Sequence, residues 1–357
     1  MAGKMAFSPF EHPIMSEVTP TSRRKADHIR INLEEDVASG LSTGLEHLRF
    51  EHRAVPELNL NQVDPSLTFL GKQLKSPLLI SSMTGGTPQA AAINRNLALT
   101  AQAEGIALAL GSQRAAIEDP ALRETYDIRK VAPDALLLAN LGAIQLNYGY
   151  GVEHCLLAVE MVAADGLILH FNPLQEAIQP EGNVRFAGLL SKLEKVCRAL
   201  PVPVIAKEVG WGISEQDAKR LIDAGVAAID VAGAGGTSWS QVEMHRTTNS
   251  TQARIARSFL DWGIPTAEAV QKIHAALPDV PLIASGGLHT GVDIAKCIAL
   301  GATLGGMAGA LLRAATSSAD AVQGLIHATK AEIRIAMFAA GCADLASLRK
   351  VELVQAP

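Results

Sequence analysis

Eight short apolar runs, most of them separated by segments of helical spacing, constrain this chain more than any other feature. They lie at Leu78–Ser82, Ile106–Leu110, Ala135–Ala139, Gly166–Leu169, Val202–Ala206, Ala227–Val231, Pro281–Ala284 and Thr303–Met307. Between them, apolar residues recur at helical spacing across Ala91–Glu104, Gly151–Ala163, Ala187–Ala199 and Glu215–Ala224. Short runs that alternate with helices read as a parallel sheet buried on both faces. Eight is also the number of strands that closes a (β/α)8 barrel. An open doubly wound sheet would carry a Gly-x-Gly-x-x-Gly turn after its first strand, and none follows here. The expected fold class is therefore α/β, a (β/α)8 TIM barrel over residues 71–350. Residues 1–22 hold Pro9, Pro13 and Pro20 without an apolar period and are expected to form a flexible arm. Residues 23–70 form an N-terminal extension.

Several classes of function are excluded by bulk properties. A net charge of -5 and the absence of long basic runs argue against nucleic acid as a partner. No segment is apolar for long enough to span a membrane, and the start of the chain lacks the apolar stretch of a signal peptide. Cys155, Cys197, Cys297 and Cys342 stand far apart without metal-ligand spacing, which fits a reducing, cytoplasmic location. With 357 residues, 48% of them hydrophobic, the chain can bury one large core.

In a parallel barrel the chemistry sits at the carboxyl ends of the strands. The fourth run empties into His170-Phe171-Asn172-Pro173-Leu174-Gln175-Glu176, an imidazole, two carboxamides and a carboxylate within seven residues. A packed core does not collect such groups, because each needs water or a polar partner. The other ends add Ser82-Met83-Thr84, Ser112-Gln113-Arg114, Asn140, Lys207-Glu208, Gly236-Thr237, Ser285-Gly286-Gly287-Leu288-His289 and Ala308-Gly309. Glycines after the last two strands suit phosphate binding through backbone N–H groups, and they suit tight turns equally well. Lys207 has three readings: a Schiff-base amine, a fixed charge facing a flavin or an enolate oxygen, or a partner of Glu208. Arg24, Lys25 and His28 share one helical turn by spacing, and with Arg114 they form a clamp for a diphosphate or simply a solvated cationic cluster. Glu176 alone is no metal cage, but one carboxylate suits Mg²⁺ shared with substrate phosphates.

Taken together and in chain order, these segments resemble the FMN-dependent type 2 isopentenyl-diphosphate isomerases. The resemblance rests on Arg24-Lys25-x-x-His28, Ser82-Met83-Thr84-Gly85-Gly86, Gly111-Ser112-Gln113-Arg114 and Asn140-Leu141-Gly142-Ala143. It continues through His170-x-Asn172-x-x-Gln175-Glu176, Pro180-Glu181-Gly182, Lys207-Glu208-Val209-Gly210, Asp230–Ser238 and Ser285-Gly286-Gly287, spanning about Arg23 to Leu312. It implies isomerisation of isopentenyl diphosphate to dimethylallyl diphosphate with reduced FMN, NADPH or NADH as reductant, and Mg²⁺. It further implies a homotetramer or homo-octamer. Carried over by position, Ser82, Met83, Thr84, Ser112, Asn140, Lys207, Thr237, Gly286, Gly287, Leu288, Ala308 and Gly309 would hold FMN. Arg24, Lys25, His28, Ser112, Gln113, Arg114 and Gln175 would hold the substrate, and Glu176 the metal. His170, Asn172 and Gln175 would line the reacting carbons as the catalytic set. His289 departs from the family, which often carries Arg there. The competing expectations are an FMN-dependent 2-hydroxy-acid oxidase, a lyase using Lys207 as a Schiff base, and a flavin-binding protein without catalysis.

Overall fold

The computed structural model describes residues 20–356, with side chains from Arg23 onward. The expected arm therefore lies, up to residue 19, outside the described residues. Eight parallel strands close into a barrel: β1 Leu78–Ile80, β2 Ala107–Ala109, β3 Leu137–Gly142, β4 Gly166–His170, β5 Val204–Lys207, β6 Ala228–Asp230, β7 Leu282–Ser285 and β8 Leu304–Met307. β8 pairs back onto β1 through Gly305–Leu78, Gly306–Leu79 and Met307–Ile80, so the barrel has no free edge. All eight expected runs become strands.

Two boundaries move for identifiable reasons. The third strand starts later than the expected Ala135–Ala139 and runs on to Gly142, because Asn140, Leu141 and Gly142 pair with Ile168, Leu169 and His170. The helix expected over Ala91–Glu104 begins a turn earlier, at Pro88. The Thr87 hydroxyl accepts the Ala90 N–H, and Pro88 occupies the first turn, where its missing N–H costs nothing.

Alternation along the strands sorts the interior into two layers. Leu79, Ala107, Leu138, Ile168, Ile205, Ala228, Ile283 and Leu304 converge in one fully buried apolar cluster. Phe69 and Leu74, from an antiparallel hairpin of Leu67–Phe69 and Lys72–Leu74, belong to the same cluster and plug that end of the barrel. Two residues further along six of these strands stand Ser81, Asn140, His170, Lys207, Asp230 and Ser285. A pleat of period two puts them on the same inner face, one layer higher. The apolar floor thus carries a polar layer.

Helix α1, Pro20–Glu34, lies outside the barrel and packs on helix α8, Trp239–Arg246. Its Ile31 joins Val37 and Val242 in a small buried cluster separate from the main core. At the far end of the chain, Val354–Gln355 pairs antiparallel with Leu48–Arg49 of the N-terminal extension. Truncating the plug tests its weight: Phe69→Ala should destabilise the fold by about 3–5 kcal/mol in urea denaturation. A loss well under 1 kcal/mol would mean the barrel floor closes without it.

Candidate active site

A cavity of about 440 Å³ opens at the carboxyl ends of the strands, roofed in part by α1. Its floor is the upper polar layer. β4, β5 and β6 pair His170 with Lys207 and Lys207 with Asp230, which places the three side chains in adjoining positions. The Lys207 ammonium lies 3.3 Å from an oxygen of Asp230, which is wholly buried. The other Asp230 oxygen accepts the Ser285 hydroxyl at 2.5 Å. Pairing of Lys207 with neighbouring Glu208 is not what the structure shows. Glu208 instead accepts the N–H groups of Val209, Gly210 and Trp211 at 2.6, 2.7 and 2.6 Å, pinning the loop that follows β5. Burial lifts its carboxyl to about 7 against the pull of those bonds.

His170 Nδ1 lies 2.8 Å from Asn140 Oδ1, while Asn140 Nδ2 donates to Ser82 Oγ at 2.8 Å. With the Asn140 oxygen facing the ring, Nδ1 carries the proton and Nε2 is left as an acceptor toward the cavity. Burial, then the charges of Lys207, Lys25 and Arg24, push the imidazolium down to about 3, so His170 is neutral at physiological pH. In the same segment, Asn172 Nδ2 donates to Gln175 at 3.1 Å and to Glu176 at 3.0 Å. The other Glu176 oxygen accepts the Asn183 N–H at 2.5 Å. The oxygens of Asn172 and Gln179 are buried without a hydrogen-bond donor beside this carboxylate. Such acceptors suit a hydrated cation or a substrate hydrogen-bond donor.

At the mouth, Arg24, Lys25, His28 and Arg114 all line the cavity. Burial and Arg114 lower the Arg24 pKa, as expected where cations crowd together before an anion arrives. Arg114 meanwhile pairs with Glu118 at 2.6 Å. The expected Gln113 is not at the site. Its carboxamide donates to the Ala158 carbonyl at 2.8 Å and accepts the Asn140 N–H at 2.9 Å, so it ties β2 to β3 behind the cavity wall. Every other expected residue lines the cavity.

The loops after β7 and β8 form a cup. Gly286 and Gly287 have φ of 102° and 75°, and a Cβ on either would lie 2.0 Å from the Gly233 carbonyl or 2.4 Å from that of Gly235. Only glycine permits this approach. Gly309 opens helix α12, Gly309–Ser317, facing the same space, and Arg313 and His289 stand at its rim. The Arg313 guanidinium lies 3.9 Å from where a Cβ on Gly309 would stand, so it adds a cation to the cup, and nothing in its sequence context singles it out.

Sequence reasoning also missed Glu243, on α8. One of its oxygens lies 3.2 Å from His28 Nε2 and accepts the Gln175 amide at 3.0 Å, and the other accepts Arg246 at 2.7 Å. Arg246 in turn reaches Glu181 at 2.6 Å. A single carboxylate therefore joins the mouth to the β4 segment. No spacing rule marks it, because His28 and Gln175 lie on elements distant in sequence.

A closed parallel barrel whose buried lysine and glycine cup meet at the strand ends has the layout of a (β/α)8 enzyme with a phosphate site after β7 and β8. The model for FMN-dependent dehydrogenase matches residues 178–355. A solved mandelate oxidase with 3,3-difluoro-2-hydroxy-3-phenylpropionic acid superposes with a TM-score of 0.66 at 19% identity, covering 94% of this chain and 98% of that one. Another mandelate oxidase structure, with the C4a-OH-FMN adduct, gives the same TM-score and coverage. The isopentenyl-diphosphate delta-isomerase of Nostoc sp. is 55% identical over 338 residues, 94% of this chain and 97% of the relative. That of Synechocystis sp. is 56% identical over 334 residues, 93% and 96% respectively. The chain belongs to the isopentenyl-diphosphate delta-isomerase family, in its FMN-dependent type 2 form.

Glu243 has a measurable signature. Burial raises its pKa, but the hydrogen bond and charge of His28, the charge of Arg246 and the Gln175 amide outweigh this and bring it to about 2. Because that lies below the ordinary 4.5, the stabilisation is present above pH 4.5 and lost as pH falls toward 2. Glu243→Gln should cost about 3 kcal/mol at pH 7. Urea midpoints of the two proteins should converge in acid, and a gap independent of pH would contradict this.

Proposed function

We propose that this enzyme converts isopentenyl diphosphate to dimethylallyl diphosphate with reduced FMN, using NADPH or NADH as the reductant and Mg²⁺ as the metal. The observation that carries the reading is one cavity with two unlike ends: a cation-lined mouth, and a floor in which buried Lys207 faces a glycine cup. The residues fit FMN. The cup accepts a phosphate through backbone N–H groups, Ser82, Met83, Thr84, Ser112, Asn140 and Thr237 line the space between, and Lys207 places a charge at the floor. Reduced FMN supplies, when bound, a proton carrier and an electron-rich face beside the substrate carbon that gains positive character.

The chain's own residues do the rest. Arg24, Lys25, His28 and Arg114 hold the diphosphate, and Gln175, held between Glu243 and Asn172, lines the wall beside them. His170 stays uncharged and offers Nε2 as an acceptor, so it does not repel developing positive charge in the substrate. Glu176, with the unpartnered oxygens of Asn172 and Gln179 nearby, would hold Mg²⁺ against the diphosphate while the ion keeps some of its waters. We infer a cytoplasmic location from the four free cysteines, which fit a reducing compartment, and a homotetramer or homo-octamer from the family resemblance. Among the described residues no helix is long and apolar enough to cross a membrane.

The barrel likeness alone would also suit a 2-hydroxy-acid oxidase. The dehydrogenase match begins at residue 178, however, beyond both Arg24–His28 and His170–Glu176. The match to the isomerase relatives covers 94% of the chain and so takes in both segments. The purified protein should be yellow, bleach on addition of NADPH, and isomerise isopentenyl diphosphate only when reduced. Unchanged substrate after incubation with the reduced holoenzyme and Mg²⁺ would sink the assignment. Glu176→Gln should keep the flavin spectrum while losing Mg²⁺ dependence and at least about 100-fold in activity, in line with loss of a metal-oriented group.

A further inference from the structure

Lys25 reaches the mouth from α1, yet its partners are not acids. The ammonium donates to the Ser112 carbonyl and, at 2.7 Å, to the Tyr126 hydroxyl. Tyr126 donates its own proton to the same Ser112 carbonyl at 2.6 Å, so its lone pairs are turned toward Lys25. The phenol is fully buried, and burial raises its pKa, which keeps it protonated and in this role. Its ring is seated against the backbone of the β1 loop: a Cβ on Gly85 would lie 2.2 Å from it. The adjacent Thr125 hydroxyl accepts the Gly86 N–H at 3.1 Å. Tyr126 therefore ties together the loop after β1, the loop after β2 and helix α1, three elements that surround the mouth.

We propose that Tyr126 is a positioning residue for the substrate anion: its hydroxyl fixes the Lys25 amine in the mouth and favours the protonated form that meets the diphosphate oxygens. This rests on the diphosphate reading of the mouth given above. The other charged or titratable groups around Lys25 are Arg24 on the same helix, Arg114 and Glu118 on helix α3, Arg114–Glu118, and His170 on β4. The cations among them oppose the Lys25 charge, while Glu118 and the neutral acceptors Tyr126 and Ser112 support it. Burial, followed by Arg24, brings the ammonium down to about 7. The site is thus partly uncharged before the anion arrives, and removing an acceptor lowers the charged fraction further.

The test is inorganic pyrophosphate binding to the holoenzyme by calorimetry from pH 6 to pH 8.5, for the wild type and Tyr126→Phe, which keeps the ring and the packing. At pH 6 Lys25 is charged in both proteins and the affinities should differ by no more than about threefold. By pH 8 the variant should bind about tenfold more weakly, because it must recruit a proton the wild type retains more readily. Lys25→Met should bind weakly at every pH and abolish the widening gap. A ratio of affinities that stays flat with pH, whether near one or large, would overturn the proposal, since a purely structural defect has no reason to track the lysine. Failure of the wild type to bind pyrophosphate at any pH would instead remove the diphosphate reading on which it rests.

Discussion

The site depends on one geometric constraint, the two-residue pleat of strands held in a closed parallel ring. Closure fixes the register, and register fixes which side chains face inward together. Ile168, Ile205 and Ala228 fill the floor, and the next inward residues are His170, Lys207 and Asp230. A slip of one residue in any of these strands would exchange a polar group for an apolar one in both layers at once. The hairpin bearing Phe69 and Leu74 seals the lower layer from water. Burial of Lys207 with Asp230 costs solvation, which their mutual attraction and the Ser285 hydroxyl offset. The pair is held because the barrel leaves it nowhere else to go.

Charge is handled differently at the two ends of the cavity. At the floor a lysine is matched by a buried aspartate. At the mouth Arg24, Lys25 and Arg114 crowd together, and beside them buried Glu243 joins His28, Gln175 and Arg246. Self-repulsion among Arg24, Lys25 and Arg114 is relieved when an anion enters, which makes affinity for a multiply charged group a property of the apo arrangement.

The sequence made the barrel legible because each strand is a local apolar run, and the strand ends could be inspected in order. It made His170, Lys207 and Glu176 legible because each stands directly after such a run or within the polar segment that follows it. Gln113 also follows such a run, but its side chain turns to the Ala158 carbonyl behind the wall. Adjacency in sequence also suggested Glu208 for Lys207, whereas a parallel ladder brings Asp230 beside it from the next strand. Glu243 and Tyr126 were invisible since their meaning lies mainly in contacts with distant elements. A carboxylate and a phenol within ordinary helical segments carry no local mark of the loops they join.

Helix α1 supplies Arg24, Lys25 and His28 to the mouth, yet it lies outside the barrel and meets it through little apolar surface: Ile29 in the main core and Ile31 in the small cluster with Val37 and Val242. Burial on that scale contributes only several kcal/mol, comparable to what a polyanion bound as proposed would add through Arg24, Lys25 and His28. Docking of the helix and occupancy of the mouth are therefore two halves of one thermodynamic cycle. Whatever tightens the helix on α8 raises affinity, and whatever fills the mouth shields the α1 amides from solvent exchange. Substrate binding in this enzyme is, in that sense, also the completion of its fold.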